Sequence, residues 1–308
     1  MAGWFTYFYG NIRAQGGKGY WAGGSNNVGA YQSEIDGINF STDAAINPSA
    51  ALATARNGVT GVNSSATGYF GGGVDGASFT YTNEIDGIDF STETGVNPSV
   101  TLTVARHQTG GINSAIKGFF CGGRTGAGNS NEIDGIDFGT ETSVNPTNTL
   151  AAARYSIAAV NSTDYGYLAG GISPLSGEID GFQFNTETSI NPAATLSSGR
   201  GGISGFNSDS RGYFAGGFSG GDPTSVIDGI QFSNEAGFTL SAALTVARSR
   251  GAGVNSTTRG YVGGGQGLSN SYLTGIDGIN FDTETAFASS ATLASPRWVL
   301  GSAQSGSL

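Results

Sequence analysis

The sequence predicts an all-β protein of six like units, the arrangement of a β-propeller. Three observations predict it. The tetrapeptide Ile-Asp-Gly-Ile, or Ile-Asp-Gly-Phe, recurs with its aspartate at Asp36, Asp86, Asp134, Asp180, Asp228 and Asp277, spaced 50, 48, 46, 48 and 49 residues apart. Arg56, Arg106, Arg154, Arg200, Arg248 and Arg297 follow with the same five spacings. An aromatic cluster ending in glycines, such as GYFGGG at 68–73 and GYFAGG at 212–217, also appears six times. A period near fifty residues with several short strands per unit favours a propeller over a helical solenoid.

One unit reads as four strands. Over residues 56–106, TGVNS at 60–64 is the first strand and SATG a turn. GYFGGG is the second strand, with both ring positions large, as expected of a strand covered on both faces. Its glycine pair lets the strand end crowd the axis. NEIDGIDF is the third strand. Asp-Gly often marks a hairpin turn, but a turn at Asp86-Gly87 would leave flanking strands below the usual length. IDGIDF therefore runs through as one strand, with Asp86, Ile88 and Phe90 on one face. The glycine leaves room for an aromatic ring from the adjacent unit. STETGVNP turns the chain, and SVTLTVAR is the fourth strand, ending at the arginine.

The first recognisable element, GYWAGG at 19–24, is a second strand. Seven residues after Arg56, Arg106, Arg154, Arg200 and Arg248 stand Asn63, Asn113, Asn161, Asn207 and Asn255, and Gln304 holds that place after Arg297. The C-terminal segment is thus a first strand. It is expected to pair with the N-terminal unit and clasp the ring shut. Residues 1–17 form an aromatic arm outside a propeller of 18–308.

Composition bounds the function. Glycine is abundant, at 54 of 308 residues, yet 37% hydrophobic content with 18 Phe and 12 Tyr suffices for a core. The net charge of −10 argues against nucleic acid, whose phosphates need a basic surface. A single cysteine, Cys121, excludes an intramolecular disulfide framework. The N-terminus lacks a basic start followed by an apolar run, so neither a secretory signal nor a membrane span is expected. The chain reads as soluble and made in a reducing cytoplasm.

With the glycine doublet, the short following strand, the Thr/Glu turn and the strand ending in Arg, each unit resembles a kelch repeat. The match covers about residues 18–308, though Leu102 and Leu150 stand where common kelch units carry tryptophan. EIDGIDFSTET, TLAAAR and GYFAGG more closely resemble the kelch-like repeat proteins of marine phages, especially cyanophages. That resemblance implies a virion protein of a tail, baseplate, fibre or particle surface. Its partners would be other virion proteins and a host cell-surface glycan or receptor, without membrane insertion.

Catalysis finds little support. His107 is the only histidine and reads as a solvated loop residue; Cys121 reads as a small buried hydrophobe. No metal, cofactor or catalytic set is expected: copper-oxidase chemistry on a kelch ring needs histidines that are missing, and the Asp boxes of sialidases are absent. The repeated Asp and Arg residues read as structural partners rather than an axial ion site.

Loop geometry divides the surface. One face carries the monotonous turns, with Asp43, Glu93, Glu141, Glu187, Glu235 and Glu284, and with Lys18, Lys117, Arg211 and Arg259 placed to pair locally. The other carries the variable loops, where Tyr31, Phe79, Tyr81, Arg124 and Tyr272 are the candidate contacts. The arm, with Trp4, Phe5, Tyr7, Phe8 and Tyr9, is either a strap on the ring or an attachment segment for another virion protein. The alternative function is a carbohydrate-binding, lectin-like propeller.

Overall fold

The computed structural model describes residues 17–26 and 28–305. The aromatic arm, from Trp4 to Tyr9, lies outside the described residues. Strands dominate; the one helical piece among the described residues is a 3-10 turn at Leu268–Asn270. No helix of the described residues is long and apolar enough to cross a membrane.

Six four-stranded antiparallel sheets carry the fold. The second sheet is typical: Thr60–Asn63, Thr67–Gly71, Ile85–Asp89 and Gly95–Val96, paired in that order. The first sheet is assembled from both ends of the chain. Gly301–Gln304 pairs with Lys18–Ala22, which continues to Ile35–Asn39 and Ala44–Ile46. The joint is tightened where the Ser305 N–H donates to the Lys18 carbonyl and the Lys18 N–H to Ser305 Oγ, each at 2.8 Å.

The innermost strands neighbour one another in sequence order, and Gly301–Gln304 lies between Ala252–Asn255 and Thr60–Asn63. Glycine permits this contact. A Cβ on Gly61 would stand 1.8 Å from the Ser302 carbonyl oxygen, and one on Gly111 would stand 2.3 Å from that of Gly61. Backbone packs on backbone there, with no room for a side chain.

Three sets of interactions pass from sheet to sheet; the first and third return to their start, and the second runs through all six sheets from Asn113 to Asn63. At one end of the inner strands, backbone N–H groups donate from Gln108 to Gly58 (2.8 Å), Ser156 to Gln108 (2.9 Å), Gly202 to Ser156 (3.1 Å), Arg250 to Gly202 (2.6 Å), Val299 to Arg250 (2.7 Å) and Gly58 to Val299 (3.0 Å). At the other end, the backbone N–H of Asn113 donates to Asn161 Oδ1 at 3.0 Å, and the pattern passes through Asn207, Asn255 and Gln304 to Asn63. Between them, rings stack across neighbouring sheets. The pairs are Tyr20–Phe90, Tyr69–Phe138, Phe119–Phe184, Tyr167–Phe232, Tyr213–Phe281 and Tyr261–Phe40, with centroids 5.4–6.2 Å apart. Each well-buried ring contributes about 1.5–3 kcal/mol by leaving water.

The IDGID segments are unbroken strands, and both rings of GYF are buried, with Tyr213 at 1% and Phe214 at 0% exposure. Three expectations fail. SVTLTVAR is not the fourth strand: that strand is Gly95–Val96, directly after the turn, and Thr101 adds a single bridge to Glu84. Asn97-Pro98 interrupts it, because proline lacks an N–H and restricts the residue before it. The sixth sheet has no proline there, and its fourth strand runs unbroken over Thr285–Thr292. The fifth also lacks the proline yet stops at Gly237–Thr239, which the proline argument does not explain.

The IDG glycine does not receive a ring from the adjacent unit. Its neighbour is the fourth-strand residue of its own sheet: Val96 stands 2.6 Å from a Cβ on Gly87, and Phe238 2.3 Å from one on Gly229. Cross-strand register (Gly87 opposite Val96, Gly229 opposite Phe238) sets this. Nor does the doublet Gly72-Gly73 crowd the axis. Both residues take left-handed φ, 68° and 112°, and their N–H groups donate to the carbonyls of Glu84 and Arg106.

Candidate functional site: an aromatic and cationic rim

Each repeat Arg is enclosed and meets the Asp of the four-stranded sheet that it leads into. Arg106–Asp134 is 2.6 Å, Arg154–Asp180 3.0 Å, Arg200–Asp228 2.6 Å and Arg248–Asp277 2.9 Å; Arg56 pairs with Asp86 and Arg297 with Asp36 in the same way. The arginines also hold carbonyls at the end of the second strand, as Arg106 Nη2 does with Phe120 O at 2.9 Å. The Asp accepts from the preceding connection: Thr103 Oγ1 donates to Asp134 Oδ1 at 2.5 Å. These pairs pin the incoming connection to the third strand. Burial raises the carboxyls of Asp36, Asp86 and Asp180 above the ordinary value and lowers the guanidiniums of Arg56, Arg200 and Arg248. The desolvation cost of holding charge inside is thus visible on both partners.

The face with the monotonous turns is also closed by pairing, between neighbouring sheets. Lys18 meets Glu93 and Lys117 meets Glu187, both at 2.6 Å; Arg259 meets Asp43 at 2.5 Å, and Arg211 meets Glu284. Second-strand tyrosines add hydrogen bonds: the hydroxyl of Tyr69 donates to Glu141 at 3.0 Å and that of Tyr167 to Glu235 at 3.1 Å. Burial, then the Glu141 carboxylate, pushes the Tyr69 phenol up to about 12. All six turn acids occupy left-handed φ, between 51° and 56°. Non-glycine residues rarely sit there, and these turns hold them through the carboxylate contacts.

The opposite face is built differently. The residue after the repeat Arg is aromatic in three of the six units: His107, Tyr155 and Trp298. Tyr81 stacks on His107 at 4.8 Å, and His107 faces Tyr155 at 6.3 Å. The Arg124 guanidinium lies over Tyr155 at 5.6 Å. Further round, Tyr272 stacks on Trp298 at 5.3 Å, and the Arg250 guanidinium lies 4.8 Å from Trp298 and 4.7 Å from Phe218. Tyr31 meets Phe79 edge-on at 5.8 Å, and Phe79 is 70% exposed. All five loop residues singled out from the sequence therefore occupy this face in aromatic or cation–aromatic contacts. They fall into three clusters.

His107 is not a solvated loop residue. Tyr81 and Tyr155 flank its ring, and both ring nitrogens are buried without a hydrogen-bond partner. Burial, then the nearby Arg124 charge, pushes its imidazole down to about 4. Cys121 is fully enclosed, and burial pushes its thiol up. No group of three or more His, Cys, Asp or Glu among the described residues could hold a metal ion.

Sequence reasoning missed Arg250, Phe218, Tyr155 and Trp298. A signal existed for two of them, since one position after the repeat Arg carries an aromatic in three units of six. Comparison with known proteins finds no matching family model and no matching curated relative.

Proposed function

We propose that the chain is a six-bladed, kelch-like β-propeller serving as a non-enzymatic phage virion protein. Its variable face makes the recognition contact. Support for the blade count comes from the six four-stranded sheets, the mixed first sheet, and the contacts that return to their start. Support for the virion assignment comes from the repeat cadence of EIDGIDFSTET, TLAAAR and GYFAGG.

The observation that carries recognition is the difference between the two faces. One pairs four of its six turn acids with a Lys or Arg of the neighbouring sheet and the other two with a tyrosine hydroxyl, which leaves few unsatisfied groups to offer a partner. The other presents rings and guanidiniums in a different combination at each sheet, the side chains favoured as binding anchors. Against catalysis stands the placement of the two residues best suited to it. His107 is neutral and wedged between rings, and Cys121 is enclosed.

The test uses purified particles. The chain should co-sediment with them at fixed stoichiometry by quantitative mass spectrometry. Antibody fragments raised against the loops of Tyr31, Tyr81 and Tyr272 should block adsorption to host cells. Recovery of the chain only as free protein would refute the virion assignment, and undiminished adsorption with the loops covered would refute the choice of face.

A further inference from the structure

Twelve Lys and Arg residues lie within the described chain, and ten of them pair with a carboxylate. Arg124 and Arg250 are the two that do not, among the described residues. In a chain of net charge −10, the unpaired cations are both on the variable face and both over aromatic rings.

Arg250 is the more constrained. Its guanidinium sits between Phe218 and Trp298, and Nη1 donates to Gln266 Oε1 at 2.8 Å. Gln266 is held in turn, donating to Asn270 Oδ1 at 2.9 Å. The guanidinium is therefore fixed in direction before any ligand arrives, which lowers the ordering cost of binding. Its backbone takes φ 58°, the left-handed value shared by all six equivalent positions, Gly58, Gln108, Ser156, Gly202 and Val299 among them.

Arg250 also lines a groove of about 440 Å³ between the fourth, fifth and sixth sheets. The walls combine the Phe218 ring and Leu175 with Asp222, Ser249, Gln266 and Asn270. Asp222 shares the groove without pairing with Arg250. That volume fits a ligand the size of one or two sugar rings. The wall chemistry also suits a saccharide: an apolar ring for the sugar's C–H face, and amide, hydroxyl and carboxylate groups for its hydroxyls. A carboxylate on the ligand would supply the counter-charge that Arg250 lacks, through paired N–H···O bonds.

We propose that this groove binds an acidic saccharide, with Arg250 holding the sugar carboxylate and Phe218, Gln266 and Asp222 holding the ring. The proposal rests on the variable face being the recognition face and names what that face takes. Glucuronic acid is the probe, glucose the neutral control and inorganic sulfate the sugar-free anion, each titrated while tryptophan fluorescence is followed in a Trp4→Phe background, where Trp21 is fully buried and Trp298 packs on Arg250. Glucuronic acid should bind saturably and at least tenfold more tightly than either control.

Arg250→Gln should weaken glucuronate binding at least tenfold. Arg250→Gly should do the same while relieving the left-handed backbone, so its melting temperature should not fall as binding is lost. Equal binding of glucose would overturn the role of Arg250, and equal binding of sulfate would overturn the saccharide. Undiminished glucuronate binding by both variants would overturn the site. Absent glucuronate binding, with loop antibodies still blocking adsorption, would sink this inference alone and leave the recognition face standing.

Discussion

Replacing Arg106 with Leu should destabilise the protein by about 3–5 kcal/mol, the usual cost of leaving one member of a buried ion pair alone. Asp134 is 5% exposed and loses a 2.6 Å charge-assisted bond, while the Phe120 carbonyl loses its 2.9 Å donor. Asp134→Leu should cost a similar amount, because Arg106 is fully buried. The double replacement removes both charges. Its remaining penalties are the loss of an acceptor for Thr103 N and Oγ1 and of the Arg106 donors to the Phe120 and Glu132 carbonyls, together about 2–4 kcal/mol. The two single losses therefore sum to about 6–10 kcal/mol, against about 2–4 kcal/mol for the double, a coupling of at least about 2 kcal/mol. Urea unfolding of the four proteins, followed by tryptophan fluorescence, measures each term. Losses that simply add, or a single variant that loses less than about 1 kcal/mol, would refute the view that pairing offsets burial here.

Other outcomes follow from the same contacts. His107 is held near a folded value of about 4 against an ordinary 6.5, so the unfolded chain binds its proton first as pH falls. Stability should decline between pH 6.5 and 4 by up to about 3 kcal/mol, less with solvent screening, at about 1.4 kcal/mol per unit. His107→Phe should remove that slope, and melting temperatures across this range would show whether it does. Deleting residues 301–308 removes the strand that completes the first sheet, with Ala303 and Gln304, and should abolish a cooperative melt by circular dichroism; an unchanged melt would refute the clasp. Glu93→Ala keeps the left-handed backbone but loses Lys18 and the Tyr20 hydroxyl, whereas Glu93→Gly loses the same contacts and relieves the strain. The alanine variant should be the less stable by about 1 kcal/mol in urea titration.

What the sequence made legible was what repeats. Six copies of IDG, of the aromatic cluster before the glycine pair and of Arg made legible the repeating unit, the continuous third strand and the role of Gln304 in a first strand, because the same local forces act on each copy. The fourth strand was misplaced because SVTLTV has the composition of a strand, while the break lies in Asn97-Pro98 just before it. The rim was only partly legible. Tyr81 and Tyr272 were visible as loop aromatics, but their stacking on His107 and Trp298 depends on how two sheets meet, which no single unit encodes. Arg250 stood hidden for a related reason: two residues past a repeat arginine, it looks like one more charge until the ion pairs of the others are known.

The seam where Gly17 and Ser305 lie side by side has an orienting effect. Both residues sit beside Lys18, at the end of the strands that holds the Lys18–Glu93 pair, away from Trp298 and Arg250. Anything spliced ahead of Gly17 or behind Ser305 leaves from a common point on the ion-paired side. A tether fused there would leave the rings and guanidiniums of the opposite side uncovered.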